Sequence, residues 1–558
     1  RRTPTASVVF PQETGHDLAT ALLAGAHRLG AVETPLRLLA ADLQQGDLLK
    51  AVDRKLNLLV HRHAARIRLD EVYYHKGRGL LLQALRKSLR VDLAPEAPLL
   101  DESLTRDVVD AFRAARGALL RSLQANPRGA FSAETHLQLG LAHRKAGVLY
   151  QQFADRYAMD GNGNAVPIYR EHARRELEAA PEALRSAADL AKTPALMHRA
   201  HLELSRALAD LGRTADAESV LRHLSGVAGV SPALRAEVAI QLATLLEAGG
   251  RILEAIETLS AHLSSSAGAT DQPMRRAAML RLGALYLRRG EFQAARQTYL
   301  AFERLPSPED ATERADQAEG LYHAYRLGLR LALRSNASAA IGRQSIERLR
   351  QLAERYPDLP QAADGLAAAV DYLLASERPD EALALARHGL ETLQRETDRM
   401  RMRLLIGAVR RAAGAFPAAR EAFSGVLAST TGDPRAHRLR AEALLGLART
   451  AMAEARAAEP VGRDAFERAI DTYARVWAQH PTIHRIADTA RAEAARHLTD
   501  PDAPLSPDER RERALAILEG VEDKASVAEL RRQLEGDPRN RRPLPDEAPP
   551  APEYYPDF

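Results

Sequence analysis

The chain of 558 residues contains no cysteine, so disulfides, thiolate metal sites and cysteine nucleophiles are excluded. Aromatic residues make up only 4% of it, with a single tryptophan, Trp477. β-Branched residues are sparse as well, which gives sheets little support. Lysine is scarce: seven of the 78 basic residues are lysines. No run of about 18 apolar residues occurs, so nothing in the sequence reads as spanning a membrane. Also missing are a Gly-x-x-x-x-Gly-Lys-Ser/Thr loop, a Gly-x-Gly-x-x-Gly turn after a strand, a Gly-x-Ser-x-Gly elbow and a His-Glu-x-x-His pair. In a chain that is 27% charged, no carboxylate pair stands out for acid–base work. The sequence therefore assigns no catalytic residue, no cofactor-binding residue and no metal ligand, and the expected chain is non-catalytic and without a cofactor.

What is present is alanine, leucine and arginine. These are strong helix formers, and small residues let helix backbones approach closely. The length exceeds what one compact core accommodates. Net charge is +4, from 78 basic against 74 acidic residues. The heavy use of arginine reads as much as GC-rich coding as selection for phosphate. Runs such as Arg510-Arg511-Glu512-Arg513 interleave acid with base, as a solvated helix face does. Nucleic-acid binding would need a concentrated basic patch, so no nucleic-acid partner is expected.

The clearest organised stretch is Arg275–Pro308. Its first half carries Leu282, Gly283 and Tyr286 on one helical face, and Gly290 supplies a left-handed helix end. Its second half carries Ala295, Tyr299 and Phe302 at spacings of four and three, followed by Pro306 and Pro308. Leu204, Leu208, Gly212, Ala217 and Leu221 repeat the pattern, as do Leu242, Ala243, Leu246, Gly250, Ala255 and Leu259. It returns at Ile406-Gly407, Gly414, Ala419 and Phe423, and at Leu445-Gly446 with Ala469 and Tyr473. Ala382 holds the helix-crossing position in a pair over 361–397, and a longer pair covers 316–357. A signature at Leu139-Gly140, His143 and Gly147 is followed by an insertion over 157–173. Tyr286, Tyr299, Phe302, Phe423, Tyr473 and Trp477 are read as core.

These features resemble the tetratricopeptide repeat, a pair of helices of about 34 residues with small residues where the helices cross. The resemblance implies an all-α, right-handed superhelical solenoid of helix pairs, bacterial in origin, with degenerate N-terminal helices and an extended Pro-rich C-terminal tail. It divides the chain into an N-terminal arm and first helix (1–34), a helical cap (35–130), the solenoid (131–498), capping helices (499–535) and a Pro-rich tail (536–558). It further implies a scaffold that holds other proteins or peptides in a concave groove lined by first helices, where arginines such as Arg281 and Arg288 would favour acidic ligands. The alternative is a structural subunit of a larger bacterial cell-envelope assembly, with arm and tail as docking segments. The tail ends in Tyr554-Tyr555-Pro556-Asp557-Phe558, which suits docking to a partner.

Three local signals stand apart. Asp160, Asn162, Asn164 and Glu171 have EF-hand spacing, although Ala165 and Pro167 depart from that loop, so an inter-helix turn is the expected reading. His61 and His63 lie two apart, which on a helix does not converge on a metal. His323 is expected on a helix surface. The chain starts at Arg1 rather than Met, which reads as processing or trimming. Together with the absence of cysteine it tilts the expected location towards periplasm or cell envelope over cytoplasm.

Overall fold

The structure is a computed structural model. It describes residues 69–91, 100–159, 161–265, 272–334, 339–430, 436–481, 483–521, 523–524 and 527–535. The readings at 1–34, at His61 and His63, and at 536–558 lie outside these. The described residues form 21 α-helices and one short 3₁₀ turn, with no strand among them. The chain divides into two compact units, Arg1–Leu285 and Tyr286–Phe558.

The first unit contains α1 (Leu69–Ser88), α2 (Glu102–Ala125), α3 (Ser132–Met159), α4 (Ala165–Asp189), α5 (Pro194–Asp210), α6 (Thr214–Gly226), α7 (Pro232–Ala248) and α8 (Ile252–Ser265). Most of α9 (Gln272–Arg288) also belongs to it. Side chains placed by the sequence open several of these helices. Asp101 accepts from the Ser103 and Leu104 amides ahead of α2, and Thr193 and Ser231 each accept a third-residue amide before a proline that starts α5 or α7. Consecutive helices pack as antiparallel-type pairs: α1 on α2, α3 on α4, α5 on α6 and α7 on α8. In addition α3 touches α5, and α5 touches α7. The first helices of successive pairs thus form one layer and the second helices another.

The second unit contains α10 (Phe292–Leu300, continued by a 3₁₀ turn to Arg304), α11 (Ala311–Arg334), α12 (Ala339–Arg355), α13 (Pro360–Ala375), α14 (Pro379–Thr392), α15 (Glu396–Ala412), α16 (Phe416–Ser429), α17 (His437–Arg456), α18 (Arg463–Gln479), α19 (His484–Thr499), α20 (Pro507–Glu519) and α21 (Ala528–Glu535). Here α11, α13, α15, α17 and α19 contact one another in succession. Ser506 and Glu509 form a reciprocal capping box at α20.

Two devices recur along the chain. The first is the turn. Gly212, Gly250, Gly290 and Gly414 all have φ between +72° and +76°, and five residues after each stands a fully buried alanine: Ala217, Ala255, Ala295 or Ala419. The fifth such turn, before Ala382, uses Glu377 at φ 56°. Its backbone bonds match those of its glycine counterparts: Arg378 donates to Leu373 O at 2.9 Å as Arg213 does to Leu208 O. The second device is a glycine under a large side chain. The Phe423 ring lies between Gly407 of α15 and Gly446 of α17, and a Cβ on Gly407 would come within 2.7 Å of that ring. Phe302 lies on Gly320 in the same way, at 2.6 Å.

Four expectations are corrected. Residues 165–173 are not an insertion; they are the first two turns of α4, and α3 and α4 form the longest pair of the first unit. Gly147, which stands eight residues after Leu139 as the turn glycine Gly290 does after Leu282, is not a turn glycine. It lies within α3, where the absence of a Cβ admits Leu177 of α4, a crossing signal that resembles a terminus in sequence. Tyr299, Phe302, Phe423 and Tyr473 are buried, whereas Tyr286 and Trp477 are only half-buried. Trp477 flanks the core of α17–α20 and carries Arg491 at 5.7 Å over its ring. His323, finally, is half-buried against Tyr299 rather than on an open helix surface.

Candidate binding face

The layer of first helices is laced by ion pairs that join neighbouring first helices. In the first unit its centre is Glu203 of α5, whose side chain is 2% exposed. Three guanidiniums surround it: Arg206 at 2.7 Å, Arg199 at 3.1 Å and Arg144 of α3 at 3.5 Å. Burial alone would raise the Glu203 carboxyl, but Arg206, Arg144 and Arg199 together outweigh it and hold it below the ordinary range. Arg144 also reaches Asp210 at 3.0 Å, and both Arg199 and Arg206 reach Glu237 of α7 at 3.1 Å. Further along, Arg281 of α9 pairs with the nearly buried Glu247 of α7. Arg281 is therefore a lattice residue, which corrects its reading as a free groove cation. Arg288 is exposed, as expected.

The second unit repeats the arrangement. Arg401 of α15 meets Asp364 of α13 at 2.7 Å. Arg449 of α17 grips Glu493 of α19 through two bonds of 2.6 and 2.9 Å, and Arg456 meets Asp500 at 2.5 Å. Tyr322 and Arg326 of α11 stack, with the guanidinium 5.9 Å from the ring centroid.

Two histidines occupy equivalent places in this layer. His323 of α11 stacks on Tyr299 at 5.1 Å between centroids, and His497 of α19 packs on Tyr473 at 5.8 Å. In both cases the tyrosine belongs to the preceding second helix and lies 24 residues upstream, and a glutamate (Glu319 or Glu493) precedes the histidine by one turn. Tyr473 donates its hydroxyl proton to Glu493 at 3.2 Å. Burial, helped by the Arg326 charge, pushes His323 down to about 4; burial and Arg456 do the same to His497. Both rings are neutral at pH 7 and read as half-buried polar groups of the inner layer. The recurrence was visible in the sequence as Glu-x-x-x-His 20 residues after a second-helix tyrosine, a signal that repeat alignment could have isolated.

Of the calcium-loop spacing, Asp160 lies outside the described residues. Ala165–Glu171 is helical rather than wrapped as a loop, and Glu171 already binds Arg174 at 3.0 Å and Arg175 at 2.8 Å. An open concavity of about 730 Å³ lies beside it, lined by Ala158, Gly161, Val166 and Arg170 among others. Among the described residues no group of three or more His, Asp or Glu side chains is placed to hold a metal, and no helix is long and apolar enough to cross a membrane.

No protein-family model and no curated protein matches the chain. Among solved structures it is similar to PilF from Pseudomonas aeruginosa, at 17% identity over 52% of this chain and 97% of that one, with a TM-score of 0.27. It is also similar to a tetratricopeptide repeat protein from Parabacteroides merdae, at 12% identity over 54% and 99% of the two chains, again with a TM-score of 0.27. TM-scores of this size fix no common arrangement, and the tetratricopeptide-like pairing rests on the chain's own turns, glycine crossings and two-layer packing.

Proposed function

We propose that the chain is a non-catalytic protein-interaction scaffold that binds a segment of a partner protein along its layer of first helices. The observation that carries this reading is the recurrence of half-buried ion pairs and stacked rings on the first helices, from Arg144 to Arg281 in one unit and from Tyr322 to Asp500 in the other. Such a row holds side chains in fixed positions at a surface, and fixed polar groups recognise a partner without much ordering cost on binding. It is not a comb of free arginines. Its arginines face carboxylates, so the face alternates in sign and favours a partner whose charges also alternate.

A charge swap tests the reading with the fold preserved. Exchanging Arg401→Asp with Asp364→Arg keeps the pair but inverts the pattern presented. The expected result is unchanged helicity by circular dichroism together with loss of the proteins that co-purify with the wild-type chain, measured by quantitative mass spectrometry. An identical set of co-purifying proteins for the swapped chain would refute binding at this part of the face.

A further inference from the structure

The last turns of α11 depart from the pattern of paired charges. Arg330 and Arg334 are exposed, one turn apart, and their guanidiniums lie 4.4 and 5.4 Å from the centroid of one ring, that of the half-buried Phe292 at the start of α10. Leu333 beside them is 46% exposed. No carboxylate among the described residues pairs with either arginine, whereas Arg289 meets Glu291 at 3.1 Å and Arg314 meets Asp358 at 2.6 Å in the same unit. The C-terminus of α11 offers about half a negative charge, against two full positive ones. The result is an apolar ledge with unneutralised guanidiniums, which is complementary to a segment that carries carboxylates and aromatic rings together.

The chain itself contains such a segment. After Arg542 there is no further lysine or arginine, and residues 543–558 carry Asp546, Glu547, Glu553 and Asp557 with Tyr554, Tyr555 and Phe558. We propose that Glu553–Phe558 of this chain docks on the ledge of Phe292, Arg330, Leu333 and Arg334, with Glu553 and Asp557 facing the two guanidiniums. Reach separates the candidate carboxylates. From α19 back to α11 there are four layer steps, and α21 packs on α20 beside α19; with about one further helix width the span is five helix spacings, which at ~8–10 Å each make about 40–50 Å. At ~3.1 Å per residue for proline-rich backbone, the 11 or so residues from Glu535 to Asp546 cover only ~34 Å, while Glu553 lies within ~56 Å. Asp546 and Glu547 therefore fall short of the ledge, and Glu553 and Asp557 do not. The ledge lies at the C-terminal end of α11 and is separate from the row of ion pairs, so this proposal does not depend on the scaffold reading.

The absence of cysteine allows a direct test in the full-length chain. Leu333→Cys is combined with Ala551→Cys, and intrachain disulfide formation under mild oxidation is timed. A pair of Leu253→Cys, also exposed, with Ala551→Cys supplies the reference rate. The expected result is a monomeric disulfide formed at least tenfold faster than the reference. Arg330→Glu with Arg334→Glu should slow it to the reference rate, as should Glu553→Lys with Asp557→Lys, and combining both reversals should restore it. Asp546→Lys with Glu547→Lys should leave it fast. A reference-level rate in the parent pair, a rate indifferent to the reversals, or crosslinked dimers in place of monomers would each overturn the proposal.

Discussion

Acidification should loosen this protein at two defined places. His323 and His497 are held at about 4 in the folded chain, against about 6.5 for an unfolded histidine. Between these values the unfolded chain binds more protons than the folded one, so stability rises with pH. The contribution is complete above pH 6.5, is lost as pH falls, and levels off below pH 4. A difference of about 2.5 pH units corresponds to at most ~3.4 kcal/mol for each ring, of which ~2 kcal/mol is lost by pH 5. The groups facing His323 are Tyr299, Tyr322, Glu319, Arg326 and Asp364; those facing His497 are Tyr473, Glu493, Arg456, Arg496 and Asp500. Asp364 favours the protonated form of His323, but burial and Arg326 outweigh it. Hydrogen exchange read by mass spectrometry resolves the two sites separately, because a repeat array can open locally. Between pH 6.5 and 5, opening of α10–α11 and of α18–α19 should each become easier by one proton's worth, about 1.4 kcal/mol per pH unit at full slope. His323→Gln should remove that dependence at α10–α11 alone, and His497→Gln at α18–α19 alone. If both variants keep the wild-type pH slope, the histidines are not held neutral and the reasoning fails.

Two further outcomes follow from the packing. Glu377 holds a left-handed conformation that costs a non-glycine residue ~1–2 kcal/mol, and glycine gives back ~0.5–1 kcal/mol in the unfolded chain. Glu377→Gly should therefore stabilise the second unit by about 0.5 kcal/mol in urea titrations. Gly320→Ala should cost ~1–3 kcal/mol, because its Cβ would meet the Phe302 ring at 2.6 Å; Phe302→Leu in the same chain should recover part of the loss, and no coupling between the two would contradict the contact.

The pairing of helices was legible in the sequence because its marks are local. A glycine at a left-handed turn and an alanine five residues on recur at Gly212, Gly250 and Gly414, and the sequence spacing alone locates them. Where the same backbone is built from Glu377, that mark vanishes, and only the alanine at 382 remained to suggest the pair. Gly147 misled for the opposite reason: a glycine chosen for close helix approach is identical in sequence to one chosen for a turn. The insertion read at 157–173 failed because Pro167 reads as a break, although proline in the first turn of a helix leaves no amide unsatisfied. The binding face was the least legible part. Whether Arg281 is free or paired with Glu247 depends on contacts 34 residues apart, which composition does not reveal. His323 was misplaced on the surface because its burial comes from Tyr299 on another helix.

The near-equality of 78 basic and 74 acidic residues takes on a different meaning once the pairs are located. An isolated exposed ion pair contributes little, ~0–1 kcal/mol, so arginines such as Arg174 on an outer helix add mainly solubility. Glu203 is another matter: its carboxylate is almost fully buried among three guanidiniums, and stripping it of them would leave a buried charge uncompensated at a cost of ~3–5 kcal/mol. Pairs of this kind cannot change singly without loss of stability, and they drift only when both members change together. The inner row is thus constrained by folding and available for recognition at once. A single charge reversal that abolishes binding there would not distinguish the two effects, and a swapped pair would. The arginines at Phe292 are free of that constraint. Reversing them should cost no more than the two exposed cation–π contacts they make with its ring, about 0.5–1 kcal/mol each, so an effect on docking at the ledge can be read with the fold intact.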